Sequence, residues 1–236
     1  MSARTERTAL LIGEEAVRRL SECHVTVAGL GGVGGHCAEA LARAGVGRLH
    51  LIDCDEVTES NRNRQLVALA TTVGMRKTDA MRARLIDAAG CAVTAADVRI
   101  DDGTADGAVP AGTDFLVDAV DDVSAKLALI RLANARKIPI VSCMGAGNRL
   151  DPTQFTVKDI FDTAGDPLAR KLRQALRKSG VSSLAVVCSK EPAHAAPGQR
   201  TIGSFAPATA AAGLTAAWYV LTRLWETKAP EGTEGW

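Results

Sequence analysis

Aromatic residues are scarce: four Phe, three Trp and one Tyr make up 3% of the 236 residues. A core of stacked rings is excluded. Ala, Val, Leu and Ile must fill the interior, which suits helices packed on a parallel sheet. Charge of one sign is missing too. Lys and Arg number 28 against 27 Asp and Glu, a formal net charge of +1. Wholesale electrostatic capture of nucleic acid is not indicated, although a local basic patch is compatible with this balance. No two of the cysteines at 23, 37, 54, 91, 143 and 188 form a C-x-x-C pair. Neither a zinc knuckle nor a thioredoxin-like site is expected, and the thiols read as reduced and buried. The four histidines show no ligand spacing. Residues 1–13 hold no long apolar stretch followed by a cleavage site, so no secretory signal and a cytoplasmic location are expected. The most lipid-like segment, 206–224, is rich in Ala and Thr and only about as long as a short bilayer span. It reads as a buried C-terminal helix, with no stable membrane insertion.

The length fits one large domain, or one domain with an appendage. Residues 14–21 read as a short helix. Residues 24–28 are a β-branched run that ends at glycines, hence a strand. Residues 33–44 read as a helix with Ala38, Leu41, Ala42 and Val46 on one face, and 48–52 as a second strand. Further helices are expected at 77–88 and 125–136, and strands at 92–98, 114–119 and 139–143, the fourth strand ending in acids. This alternation predicts an α/β fold, a Rossmann-like and mostly parallel sheet with helices on both faces. Residues 1–145 form the Rossmann-like core in this division. Past 145 the pattern changes. A strand is expected at 154–157 and another at 184–187. Between them lies a helix with Asp166 as cap, Pro167 in the first turn, a stripe of Leu168, Leu172 and Leu176, and Gly180 at its end. Residues 192–200 read as a loop. Residues 146–236 are thus an extension completing the same domain, a helix and short strands, and its basic helix faces the substrate.

The turn at 29–34, Gly-Leu-Gly-Gly-Val-Gly, sits between the first strand and its helix. Phosphates need backbone N–H groups brought close without side chains in the way. Gly29, Gly31, Gly32 and Gly34 permit both the turn and the approach. The following helix points its positive end at the phosphates. Asp53 closes the second strand, about 20 residues further on, where an acid reaches a ribose hydroxyl. Alone, a G-x-G-x-x-G is a weak signal whose default client is NAD. The neighbours argue for another nucleotide. Asp55 follows Asp53, then comes the polar, cationic run Ser60-Asn61-Arg62-Asn63-Arg64-Gln65, then Lys77, and Asp121 and Asp122 lie across the crevice. Arg64 and Lys77 can hold a triphosphate and Asp121 a Mg²⁺ ion. Cations and a metal-binding acid at a phosphate turn are what nucleotidyl transfer from ATP requires.

These residues resemble the ubiquitin-activating-enzyme (ThiF-like) superfamily, which includes bacterial sulfur-carrier adenylyltransferases. The match runs through the turn, Asp53-Cys54-Asp55, residues 60–65, Lys77 and Asp118-Ala119-Val120-Asp121. The resemblance implies that Gly32 and Asp53 contact the nucleotide, that Asn61, Arg64 and Lys77 contact phosphates, and that Asp121 holds the metal near the α-phosphate. It also implies a homodimer in which an N-terminal arginine enters the partner's site. Arg7 is the candidate and Arg4 a second, from the pattern Arg4-Thr5-Glu6-Arg7. The second half looks like the tRNA threonylcarbamoyladenosine dehydratase branch. It does so through Gly145-Ala146-Gly147, Leu150-Asp151-Pro152-Thr153-Gln154, and the run from Asp166 to Arg173. That branch uses ATP to activate a carboxylate on a modified adenosine beside the tRNA anticodon, after which the side chain cyclises. The alternative is adenylation of a sulfur-carrier or ubiquitin-like protein; the absent C-x-x-C zinc pairs favour the tRNA branch. A monovalent cation and a sulfur-transfer or carrier protein are the further candidate cofactor and partner. Cys188, offset from where the branch can carry a cysteine, reads as structural. Arg170, Lys171, Arg173 and Arg177 crowd one helix and are candidate tRNA-backbone contacts, with a solvated face the equal alternative.

Overall fold

In a computed structural model, which describes residues 3–194 and 201–226, the apolar runs become seven strands of one sheet. In chain order the elements are α1 (Glu6–Ile12), α2 (Glu14–Glu22), β1 (His24–Ala28), α3 (Gly34–Ala44) and β2 (Arg48–Asp53). Then follow α4 (Lys77–Ala89), β3 (Ala92–Asp97), α5 (Ala105–Ala108), β4 (Phe115–Asp118), α6 (Val123–Arg136) and β5 (Ile140–Cys143). The last are β6 (Phe155–Asp159), α7 (Pro167–Ser179), β7 (Ala185–Ser189) and α8 (Ala206–Glu226). The sheet order is β3-β2-β1-β4-β5-β7-β6. Every pairing is parallel except β6 with β7. The expected α/β architecture is therefore the one observed. β6 and β7 extend the sheet begun by β1–β5.

Alternation along the strands covers both faces. Val25, Val27, Leu49, Leu51 and Val117 share one cluster with side chains of α3, α4 and α8. Ala28, Ile52 and Leu116, one residue out of phase, pack with Ala125, Ala128, Leu129 and Ala133 of α6 on the other. Segment 206–224 is a buried helix, as its composition implies. Ala208, Ala212, Gly213, Ala216 and Ala217 of α8 are buried. A Cβ on Gly213 would fall 2.3 Å from the Val33 carbonyl oxygen of α3. Among the described residues no helix is long and apolar enough to cross a membrane.

One local expectation changes, one helix is additional, and one segment lies mostly outside the described residues. The N-terminal residues include a helix, α1, that carries no sequence signal of its own. It is only seven residues long and depends on packing against α2, with Ala9 buried and Leu10 and Leu11 left exposed. β4 stops at Asp118, so Asp121 and Asp122 stand in the following turn rather than at the strand end. Asp122 caps α6 by accepting the Ala125 N–H at 2.9 Å. Of the loop expected at 192–200, residues 195–200 lie outside the described residues. α7 matches its signals: Asp166 accepts the Ala169 N–H at 2.9 Å, Leu172 and Leu176 are buried, and Gly180 closes it in the left-handed region.

Candidate active site

The chain runs outward through β2 and β3 on one side of β1, then crosses to β4 and β5 on the other. Between β1 and β4 the strand order reverses, and in open parallel sheets the ligand crevice lies outside the carboxyl ends of the strands at that point. The glycine turn forms one lip. Its glycines divide the work. Gly29 has φ +88°, and a Cβ there would lie 2.6 Å from the Ala119 carbonyl oxygen across the crevice floor. A Cβ on Gly34 would lie 1.8 Å from the Gly29 oxygen. These two build the turn. A Cβ on Gly31 would have nothing nearer than the Gln65 amide at 3.9 Å, so this glycine is not required by packing within the chain. Gly32 sits under Thr209 of α8 and Arg64.

Asp53 ends β2 as expected. Its carboxylate accepts the Leu30 N–H at 2.6 Å and the Asp55 N–H at 2.8 Å, so it braces the turn as well as facing the crevice. Asp55 is committed to Lys77. The buried Lys77 ammonium donates to it at 2.8 Å, and the Lys77 N–H to its carbonyl at 3.0 Å. That hydrogen bond holds the Asp55 carboxyl below the ordinary carboxylate range. Asn61 is buried and closes a capping box with Thr58. Arg64 is half-buried and donates to the Ser60 carbonyl at 3.1 Å and the Asn63 side chain at 2.8 Å. Asp121 is exposed and has no hydrogen bond or ion pair among the described residues.

Beneath Asp121 lies a group the sequence reading passed over. Lys126, on the first turns of α6, is fully buried and bonds both Asp118 oxygens at 3.1 Å, the Ser142 hydroxyl at 3.3 Å and the Cys143 carbonyl at 2.8 Å. Asp118 also accepts the Val120 N–H at 3.2 Å. The pair ties β4 to β5 and holds the turn that bears Asp121. The only advance signal was a Lys at an otherwise apolar helix position.

Other expected residues lie elsewhere. The short 3-10 turn leading into α1 places Thr5 3.2 Å from where a Gly45 Cβ would be, just past the C-terminus of α3. The glycine turn is at the other end of that helix, about 16 Å away at 1.5 Å per residue. Arg7, exposed on α1, is therefore remote from its own crevice. On α7 the cationic set splits. Arg173 is half-buried and donates to the Thr163 hydroxyl. Arg177 lies 6.0 Å from the Phe161 ring centroid. Arg170 and Lys171 are exposed. Cys188 is buried on β7 with its thiol pushed up by burial, as a structural residue would be.

A phosphate-binding turn, two cations and a free carboxylate at a switch-point crevice define a nucleotide-dependent enzyme of the adenylating kind. The chain belongs to the ThiF family, whose profile matches residues 5–234. It is 44% identical over 176 residues to the tRNA threonylcarbamoyladenosine dehydratase of Bacillus subtilis (strain 168), covering 74% of this chain and 69% of that one. It is 42% identical over 171 residues to the protein of the same name in Escherichia coli (strain K12). That alignment spans 72% of this chain and 64% of the relative, slightly under two thirds of its length. The crystal structure of the E. coli tRNA N6-threonylcarbamoyladenosine dehydratase in complex with ATP superimposes with a TM-score of 0.90 at 36% identity, covering 97% of this chain and 96% of that one.

Proposed function

We propose that this protein uses ATP to adenylate the carboxylate on the side chain of threonylcarbamoyladenosine in tRNA, which then cyclises. The reading is supported by the groups gathered around the switch point: the glycine turn with Arg64 against Gly32, Asp53 on the Leu30 N–H, Lys77 paired with Asp55, and Asp121, which has no partner among the described residues. A carboxylate is a poor electrophile because its oxygen leaves badly. In the first step its oxygen bonds the α-phosphorus of ATP and the bond to the bridging oxygen breaks, releasing pyrophosphate. In the second an internal nucleophile of the same side chain bonds the acyl carbon. AMP departs with the carboxylate oxygen and the nucleophile loses its proton, so the base loses one water overall.

No protein nucleophile is required; the chain positions and screens. Gly31 and Gly32 offer N–H groups to phosphate. Arg64 and Lys77 offset charge that builds as pyrophosphate leaves. Asp53 faces the ribose. Asp121 suits Mg²⁺, which is held by one or two carboxylates together with substrate phosphates. Mg²⁺ when bound would supply charge neutralisation at the α-phosphate. Asp118 is unavailable for it, being saturated by Lys126. The distance of Arg7 from its own crevice fits service in trans, with Arg7 of the partner subunit completing each site of a homodimer. Exposed Arg170 and Lys171 fit tRNA phosphates, and action on tRNA fits the cytoplasm.

The test is incubation with ATP, Mg²⁺ and tRNA bearing threonylcarbamoyladenosine, read by nucleoside mass. Loss of one water with release of AMP is expected. An unchanged nucleoside, together with AMP–pyrophosphate exchange driven by a carrier protein ending in Gly-Gly, would refute it.

A further inference from the structure

Two segments cross at the edge of the crevice, 145–151 leading from β5 and 201–205 leading into α8. They are locked together. The Asn148 N–H donates to the Gly203 carbonyl at 2.8 Å, and the Gly203 N–H to the Asn148 side chain at 2.6 Å. Asn148 has φ +54°, a left-handed backbone that Asn tolerates because its side chain bonds locally. A Cβ on Gly147 would lie 2.3 Å from the Ile202 side chain. The second segment is tied to the cationic run as well: Asn63 donates to the Ser204 carbonyl at 3.1 Å and its hydroxyl at 3.0 Å. Thr209, in the first turn of α8, rests on Gly32. The crossing is thus fixed relative to the phosphate turn.

On this frame three large apolar side chains stand in water: Ile202 is 72% exposed, Leu150 54% and Phe205 46%. An apolar ledge held by dedicated hydrogen bonds beside a polar crevice stabilises nothing in the free chain, and such surfaces mark binding sites. Its surroundings carry both signs: the Glu191 carboxylate accepts the Leu150 and Asp151 N–H groups at 3.1 and 3.0 Å, and cations lie on two sides. Arg64 follows Asn63 on one side. On the other, the Asp166 carboxylate accepts the Gly145 N–H at 3.1 Å while capping α7. The start of α7, with exposed Arg170 and Lys171, therefore abuts the first segment. An apolar surface with an aromatic member, next to the phosphate turn and to the exposed cations of α7, suits an unstacked nucleobase with a phosphate beside it.

We propose that Leu150, Ile202 and Phe205 seat the base of the RNA nucleotide whose carboxylate enters the crevice. Phe205 supplies the stacking face, and Arg170 and Lys171 take a neighbouring phosphate. This rests on the RNA reading above. The ledge orients the substrate carboxylate toward the α-phosphate of ATP rather than merely holding the tRNA.

Three variants test it: Phe205→Ala, Phe205→Trp and the double change Arg170→Glu with Lys171→Glu. Phe205→Ala is expected to raise the KM for modified tRNA by about tenfold or more, the worth of one lost stacking contact. It should leave the KM for ATP within about twofold, and Phe205→Trp should restore tRNA affinity. The Glu pair should weaken tRNA binding and flatten its salt dependence. An unchanged tRNA KM in Phe205→Ala, with normal turnover, overturns the ledge while the RNA reading stands. So does loss of the dimer by sedimentation with tRNA KM intact, which assigns the face to a second copy. Wild-type turnover on a carrier protein and none on tRNA overturns both.

Discussion

Replacing Lys126 by Met keeps the length of the buried stem and removes its ammonium. In the native protein that ammonium meets both oxygens of Asp118 at 3.1 Å, the Ser142 hydroxyl and the Cys143 carbonyl, and both charged side chains are fully buried. The variant leaves a wholly buried carboxylate with only the Ser142 hydroxyl at 2.5 Å and the Val120 N–H at 3.2 Å. An uncompensated buried charge of this kind costs about 3–5 kcal/mol. In a chain of this size each kcal/mol lowers the melting temperature by about 2–4 °C, so a fall of roughly 10 °C is expected. The decisive arm adds Asp118→Asn to Lys126→Met. With no net charge left inside, the double variant should regain most of the lost stability, since neutral groups of similar volume often replace buried ion pairs without penalty. Urea unfolding followed by circular dichroism reads all three proteins. A Lys126→Met variant within about 1 kcal/mol of wild type, or a double variant no more stable than the single, would refute the reasoning.

The glycines of the turn should separate by role: Gly34→Ala, with its Cβ 1.8 Å from the Gly29 oxygen, should fail to fold, whereas Gly31→Ala, with 3.9 Å of clearance, should melt like wild type yet bind ATP more weakly by calorimetry. Arg7→Ala and Asp121→Ala should each abolish AMP formation with the fold intact. Mixing and re-equilibrating the two should restore about a quarter of wild-type activity, since in a symmetric dimer only one site of each mixed pair is whole; no recovery means that Arg7 does not act in trans. Burial holds His50 and His24 below the ordinary imidazole value of 6.5, with Arg48 adding to the effect at His24. The unfolded chain then binds more protons just below pH 6.5, so stability falls as pH drops through that value toward the lowered ones; urea midpoints compared at about pH 5 and pH 7.5 should show the loss, and His50→Gln should reduce it.

The strand and helix pattern was legible because both periodicities are strong in this chain. Val25 and Val27 face one layer and Ala28 the other, and α7 shows its cap, stripe and closing Gly180 in order. Two features escaped detection. Helix α1 has no pattern beyond seven residues and exists against α2. The end of β4 lies before the acids because Asp122 is drawn off to cap α6. That cap has the same three-residue spacing as Asp166 on α7, so it was a local sign outweighed by reading the acids as a strand end.

The site divides along the same line. A glycine turn, an acid at a strand end and cations in sequence are local signs, and the structure does bring Asp53 onto the Leu30 N–H of the turn and Arg64 against Gly32. Local signs do not reveal which groups are already spent. Asp55 is consumed by Lys77, Arg173 by Thr163, and Asp118 by Lys126. Asp121 stands out only after those pairings are known, since Asp122 of the same turn caps α6 and Asp121 has no partner among the described residues. The same accounting picks Arg170 and Lys171 from a helix of like charges. Free groups at the rim of a crevice whose interior charges are mutually satisfied are the ones available to a nucleotide and to the RNA behind it.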